Sequence, residues 1–438
     1  MTILGLAEST VAPLIRAIAP DGAELGRDAI AARFARAAWT GVSEPGDRDA
    51  GHLVAVLGAE ASLAALTAVP WPQHLTDGEL DVTPLEAALA GVGDDELSHQ
   101  DLVDAVKRWR PRLSAQTALL ALRQAARFGA SLIFPDDADW PVGVDDLGEH
   151  APHALWVRGD RALLGRLERS IAVVGARAAT GYGEHVTIEA ASGLADRGFT
   201  IVSGAAYGID GIAHRAALAS SGPTVAFLAG GVDRFYPAGH EALLTRIVER
   251  GAVVSEVPPG TAPTRWRFLQ RNRLIAAASR ATVVVEAGWR SGSLNTAHHA
   301  ATIGRPVGAV PGPVTSTASA GCHKLLRETP AILVTNADEM AELVPLDHEI
   351  PDAAAPVPAP NSSSTIPPAI DPSGTRLRLL DALSERSGRS VDRIAALSGL
   401  AADRVRAELG LLELEGIVHE LPSGWQRFTI RQMEARRG

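Results

Sequence analysis

The sequence predicts an α/β protein: a mostly parallel sheet with a helical domain before it and a winged helix after it. Three observations lead there. Seven short β-rich runs recur between helix-like segments from Ile171 onward, the chain before them shows helical periodicity alone, and three short helical segments with two β-prone runs close it.

At 438 residues the chain is too long for one ordinary core. Its 46% hydrophobic and 21% charged residues are those of a globular protein. The single cysteine, Cys322, excludes an intramolecular disulfide and a cysteine-rich metal site, and fits a reducing, cytoplasmic setting. The N-terminus MTILGLAESTVAPLIRAIAP has no basic stretch before its apolar residues, and no apolar run approaches the ~20 residues that span a bilayer, so neither a signal peptide nor a membrane is expected.

Residues 1–134 are expected to be helical. AARFARAAWTGV, HLVAVLGAEASLAAL and SAQTALLALRQAARFG carry apolar residues at helical spacing, and no strand pattern interrupts them up to about residue 130. The sheet domain is expected over 135–343. Its runs are IAVV (171–174), TIVS (200–203), TVAFL (224–228), AVVS (252–255), TVVVE (282–286), PVGAV (306–310) and AILV (331–334). Continuous apolar strands alternating with helices imply a parallel sheet covered on both faces. Such a sheet binds ligands beyond the carboxyl ends of its strands. Residues 344–373, rich in proline, alanine and serine, read as a linker. Residues 374–438 hold TRLRLLDALSERSG, SVDRIAALSG and AADRVRAELGLLELEG, then two β-prone runs about a Pro-Ser-Gly turn, which is the winged-helix order.

Glycines, hydroxyls and arginines gather where the strands end. The first run leads into Gly175 and Arg177, with Gly181 and Gly183 opening the next helix. A glycine-bearing loop entering a helix N-terminus can hold a phosphate through backbone N–H groups. A dinucleotide site is disfavoured, because G-x-G-x-x-G is absent and the second run ends in Ser203-Gly204 rather than an acid. Gly204 and Gly208 precede a helix in which Asp210 reads as a cap and His214 as a packed residue. Tyr236-Pro237 follows the third run, and Ser291-Gly292-Ser293 follows the fifth. Before that fifth run stands RWRFLQRNRLIAAASR (265–280), with five arginines, two aromatics and no acid in a chain of net charge −10. Arg271-Asn272-Arg273 sets two cations about an amide, which suits phosphate oxygens and base edges. Several phosphate-sized loops in series, with arginines and rings among them, suit a single-stranded nucleic acid crossing the sheet end.

VGAR (174–177), TGYG (180–183), SGAAYGIDGIAH (203–214), YP (236–237), SEVPPG (255–260), RNRLIAAAS (271–279), VVEAGWRSGSLNTA (284–297) and AVPGPV (309–314), in that order, resemble the DNA-processing protein A family, DprA or Smf. The resemblance covers roughly residues 135–340, with flanking domains that match its layout; the N-terminal one would be SAM- or helix-hairpin-helix-like. It implies an extended Rossmann-type fold that binds single-stranded DNA, loads the RecA recombinase in natural transformation, and forms homodimers. Arg177 would contact DNA, Ser203, Gly204 and Gly208 would form a phosphate pocket, and Arg271, Asn272 and Arg273 would line the same groove. No cofactor, metal or catalytic residue is expected. Two positions depart from the family's basic pattern, Tyr207 and the stretch Ala238-Gly239-His240; Lys324 and Arg327 are the cations that could compensate.

A rival reading is a phosphoribohydrolase-like enzyme using Glu286 at a strand end, against which the same residue reads as a buried acid that pairs an arginine or caps the Gly288–Ser293 loop. No paired carboxylates or His–Glu metal spacing accompany it. The last helix of the winged domain sets Asp403, Glu408, Glu413 and Glu415 against Arg404 and Arg406, a poor match for a DNA groove and a better one for a protein contact.

Overall fold

The computed structural model describes residues 2–19, 25–71, 80–344, 374–429 and 432. They divide into two compact units, Met1–Ala341 and Glu342–Gly438. Apart from Val344, the expected linker lies outside the described residues.

The first unit opens with a short ribbon, β1 (Thr2–Ile3) and β2 (Leu6–Ala7), and seven helices: α1 (Glu8–Ile18), α2 (Arg27–Val42), α3 (Arg48–Leu57), α4 (Ala59–Ala68), α5 (Thr83–Ala90), α6 (His99–Trp109) and α7 (Ala115–Arg127). Local chemistry sets their starts. Ser98 and Asp101 form a reciprocal capping box on α6, and the Ser114 hydroxyl caps α7. Trp39 stands edge-on to Trp109 with ring centroids 5.3 Å apart, and its indole N–H donates to the Ser62 hydroxyl at 3.1 Å.

Nine strands follow: β3 (Ser131–Ile133), β4 (Leu155–Gly159), β5 (Ser170–Val174), β6 (Thr200–Ser203), β7 (Thr224–Leu228), β8 (Ala252–Ser255), β9 (Ala281–Val284), β10 (Val307–Ala309) and β11 (Ile332–Leu333). Their order is β11-β10-β9-β5-β6-β7-β8-β4-β3, parallel from β11 to β8 and antiparallel at β4 and β3. All seven expected runs are strands of the parallel part. Every residue of β5 to β9 is buried, as helices on both faces require. Those helices are α8 (Gly181–Asp196), α9 (Ile209–Ala219), α10 (Glu241–Arg250), α11 (Arg265–Ala278), α12 (Ser293–Thr302), α13 (Ala320–Glu328) and α14 (Ala337–Ala341).

The antiparallel strands β3 and β4 are not legible as strands in the sequence, and β3 falls within the range expected to be helical. An antiparallel edge needs no crossover helix, so it leaves no alternating strand–helix signature. The core around Trp39 continues without a break into Leu132, Trp156 and Val253 of the sheet.

The second unit contains α15 (Thr375–Ala382), α16 (Val391–Ser398), α17 (Ala402–Leu414) and the antiparallel pair β12 (Val418–Leu421) and β13 (Gly424–Arg427). Leu379, Ile394, Val405, Leu409 and Leu412 form its own core. This is the expected winged-helix arrangement.

Candidate nucleic-acid interface

The chain leaves β5 toward β6, β7 and β8 on one side, while β9, β10 and β11 lie on the other. The carboxyl ends of β5 and β9 therefore flank the switch point at which open α/β sheets bind ligands. A cleft of about 380 Å³ lies there, lined by Gly175 and Arg177 after β5, Asp210, Phe268, Arg271 and Asn272 from the helices, and Gly288 and Arg290–Ser293 after β9. The loops that frame it are locked together. Ala176 N donates to Glu286 O at 2.7 Å, and Ile209 N donates to Ala176 O at 3.2 Å. Gly208, which starts α9, has φ +75°, and a Cβ there would stand 2.2 Å from Ala176 O, so the position requires glycine.

The arginine block becomes α11, whose N-cap is the Thr264 hydroxyl accepting from Arg267 N. Helical spacing sends its arginines to different neighbours. Arg267 makes a two-pronged pair with Glu44 at 3.2 and 2.7 Å, and Arg112 reaches the same carboxylate at 2.9 Å. Arg273 makes a similar pair with Glu256 at 2.8 and 2.7 Å and also donates to His150 O. It is 3% exposed and is not among the cleft-lining residues, which corrects the expectation that it lines the groove.

Arg271 does line the cleft, but its Nη1 is committed to Gly204 O at 2.6 Å and Phe227 O at 2.7 Å. It thereby ties the carboxyl ends of β6 and β7 to α11. Gly204 makes the approach possible, since a Cβ there would fall 1.9 Å from that nitrogen. Burial brings the Arg271 guanidinium down to about 10, so it keeps its charge at neutral pH. Burial pushes the Asp210 carboxyl upward, against the pull of Arg271 and of the Gly204 and Ala206 N–H groups that it accepts.

Arg177 and Arg290 remain exposed at the cleft. The Arg177 guanidinium carbon lies 5.4 Å from the Phe268 ring centroid, Arg271 lies 5.7 Å from it, and the Tyr236 ring packs against it at 5.5 Å. Tyr236 is 48% exposed and begins a cis Tyr236–Pro237 bond. Opposite, the Ser291 and Ser293 hydroxyls are 2.8 Å apart at the start of α12, and the Asn272 amide donates to Gly292 O at 3.3 Å. Ser203 is fully buried and donates to Val173 O, so its hydroxyl serves the sheet and does not face the cleft. Lys324 lies outside the cleft lining, on α13 beside Trp289.

Several residues of this face are not among the expected site residues. Arg290 and Phe268 line the cleft, and Tyr182 and Trp289 are exposed rings, as is Tyr207, one of the positions that depart from the basic pattern. Motif position marks Arg290, one residue before Ser291; nothing in the sequence separates the exposed rings from core ones. Tyr207 and His240 pack edge-on at 4.8 Å, with Gly239 against the tyrosine, so the positions that depart from the basic pattern form one aromatic corner.

Glu286 is 1% exposed and caps a different loop from the expected one. Its oxygens accept from Thr180 N at 2.9 Å and Thr180 Oγ1 at 2.5 Å, at the start of α8. His214 is packed as expected, bonded to Thr224 Oγ1 at 2.7 Å, and burial drives it down to about 3. Burial pushes the Cys322 thiol up to about 12, which makes it inert. Among the described residues, His52, Glu96 and Glu149 are the group close enough to hold a cation, but Arg48 bonds both carboxylates and His52 Nδ1 already bonds Glu149.

The sheet order, the switch-point cleft and the three arginines against one buried carboxylate define a Rossmann-type protein with a positively biased strand-end site, joined to a winged helix. Among the described residues no single helix is long and apolar enough to cross a membrane. Residues 131–345 match the family model of DNA recombination-mediator protein A, and residues 358–424 match the DprA winged helix domain. A Mycobacterium tuberculosis protein named as a DNA processing protein DprA is 48% identical over 310 residues, 68% of this chain and 77% of its own length. Escherichia coli protein Smf is 37% identical over 329 residues, 72% of this chain and 82% of its own. The crystal structure of Streptococcus pneumoniae DNA processing protein A superposes with TM-score 0.54 at 28% identity, over 71% of this chain and 97% of that one. The chain belongs to the DprA family, and its role lies in DNA processing and recombination.

Proposed function

We propose that this protein binds single-stranded DNA across the strand ends of its sheet and acts without catalysis, protecting the strand and loading a RecA recombinase onto it in natural transformation and recombination. In this reading it works as a homodimer in the cytoplasm. The observation that carries the proposal is the pair of exposed arginines, Arg177 after β5 and Arg290 after β9, lining one cleft together with Phe268, whose ring packs against Tyr236. Cations that track phosphates beside rings that stack bases are what binding a single strand without sequence preference requires. The hydroxyls and backbone at Ser291, Gly292 and Ser293 supply further phosphate donors at the start of α12.

The hydrolase alternative needs a carboxylate free to act on a nucleotide, and Glu286 is held on both oxygens by Thr180. The deciding measurement is fluorescence anisotropy with labelled oligothymidine and a duplex of equal length, titrated with salt. Tight single-strand binding that weakens steeply with salt supports the reading. No single-strand binding at low salt sinks it, and release of base or ribose from a nucleotide panel would then favour the enzyme.

A further inference from the structure

Trp289 is 57% exposed, and it is the one exposed tryptophan of the eight in the chain. A large ring left in water on a rigid loop calls for a reason. The loop is rigid: Ala287 N donates to Ala318 O at 2.8 Å, Gly321 N to Ala287 O at 2.7 Å, and Ser291 N to Gly288 O at 3.0 Å, closing the turn around Trp289. Its chain neighbours Gly288 and Arg290 both belong to the cleft wall, whereas Trp289 does not. A strand leaving the cleft over this wall meets Trp289 next. Beside the ring stands Lys324 of α13, its Nζ 5.2 Å from the ring centroid and 3.9 Å from Glu328. An indole that carries one cation over one face, and is 57% exposed, offers its other face as a stacking surface for a base, with the cation beside it for that nucleotide's phosphate.

We infer that Trp289 and Lys324 form an outer subsite, which stacks one base of a single strand leaving the cleft and holds its phosphate. The inference rests on the single-strand reading above and adds a place where the track continues past the cleft, toward β10 and α13. The base contact belongs to Trp289 and the phosphate contact to Lys324, so the two can be separated chemically.

The test compares wild type, Trp289→Ala, Trp289→Phe and Lys324→Ala on oligothymidine and on an abasic deoxyribose-phosphate oligomer of the same length, by anisotropy and tryptophan emission. In wild type, oligothymidine should quench emission. Trp289→Ala should weaken oligothymidine binding roughly 5-fold or more and leave the abasic oligomer unchanged. Trp289→Phe should restore the affinity but not the quench. Lys324→Ala should weaken both ligands and lower the magnitude of the salt slope by about 0.7. Trp289→Ala binding oligothymidine as tightly as wild type overturns the inference, and so does an equal loss on both ligands, which means only a damaged loop. If wild type itself fails to bind oligothymidine, the inference falls together with the function beneath it, an outcome distinct from either of those.

Discussion

Glu286 and Thr180 are joined twice, the carboxylate accepting from both the backbone N–H and the hydroxyl of the threonine that caps α8. The acid at the end of β9 thus fastens the loop after β5, and both walls of the cleft depend on it. A Cβ on Gly183 would fall 2.1 Å from the same carboxylate, so the helix start is shaped around it. Glu286→Gln should cost about 1–3 kcal/mol, because a buried charge-assisted bond becomes a neutral one. Urea denaturation measures this; an unchanged midpoint would remove Glu286 from the framework.

Arg177 and Arg271 should separate binding from stability. Arg177 is exposed, so Arg177→Ala should leave the unfolding free energy within ~0.5 kcal/mol and weaken binding to all single strands about equally. Arg271→Ala removes a buried cation beside Asp210 and leaves Gly204 O and Phe227 O without their donor, a loss of about 3–5 kcal/mol. A binding defect in Arg271→Ala therefore carries meaning only beside its unfolding curve. Equal stability of the two variants would contradict this division.

Glu44 lies between Arg267 and Arg112 and is 7% exposed, joining the N-terminal helices to α11. Burial lowers Arg112 from its usual value, and the Glu44 charge opposes that shift. Glu44→Ala leaves the buried Arg267 and the partly buried Arg112 guanidiniums without their shared carboxylate and should destabilise the first unit by about 3–5 kcal/mol. Thermal unfolding of the full chain tests it. A variant as stable as wild type would show that these arginines find other partners.

Acid should weaken the fold before its carboxylates titrate. Burial holds His153 and His299 down to about 4 and His214 down to about 3, against an ordinary value of 6.5. A depressed histidine contributes stability that is present above pH 6.5 and lost as pH falls toward its folded value, because only the unfolded chain takes up the proton. A buried one such as His153 is worth roughly 3 kcal/mol over that window. His52 has the opposite sign. It bonds Asp94 and Glu149 and is raised on balance, although burial opposes those bonds, so its contribution is present below pH 6.5 and fades as pH rises through its folded value. Urea midpoints between pH 7.5 and 4.5 should fall with acid, and a flat profile would refute the dominance of the buried histidines.

The winged-helix unit should not shift duplex DNA. On α17, Arg404 is paired with Glu408 at 3.1 Å, while Leu411 and Leu414 are 54% and 87% exposed. A net-acidic helix with exposed leucines is better suited to a protein surface than to a DNA groove. A gel shift with residues 374–438 checks this, and a retarded duplex would reverse the assignment.

The parallel strands β5 to β10 and the motif order are legible in the sequence because burial on both faces demands continuous apolar runs, and strand ends demand glycines and hydroxyls; β11, whose two residues are exposed, is legible from its β-branched and aliphatic run alone. Gly175, Arg177 and the Ser291–Ser293 turn follow from that rule and do line the cleft. What the sequence alone could not decide is the direction of each arginine. Arg267, Arg271 and Arg273 are equally cationic in one dimension, yet helical rotation and distant partners send them to Glu44, to two strand-end carbonyls and to Glu256. Those partners lie 17 to 223 residues away along the chain, so only the tertiary fold brings them within hydrogen-bond reach. Charge composition is a property of the sequence; which charges stay free to meet a phosphate is a property of burial.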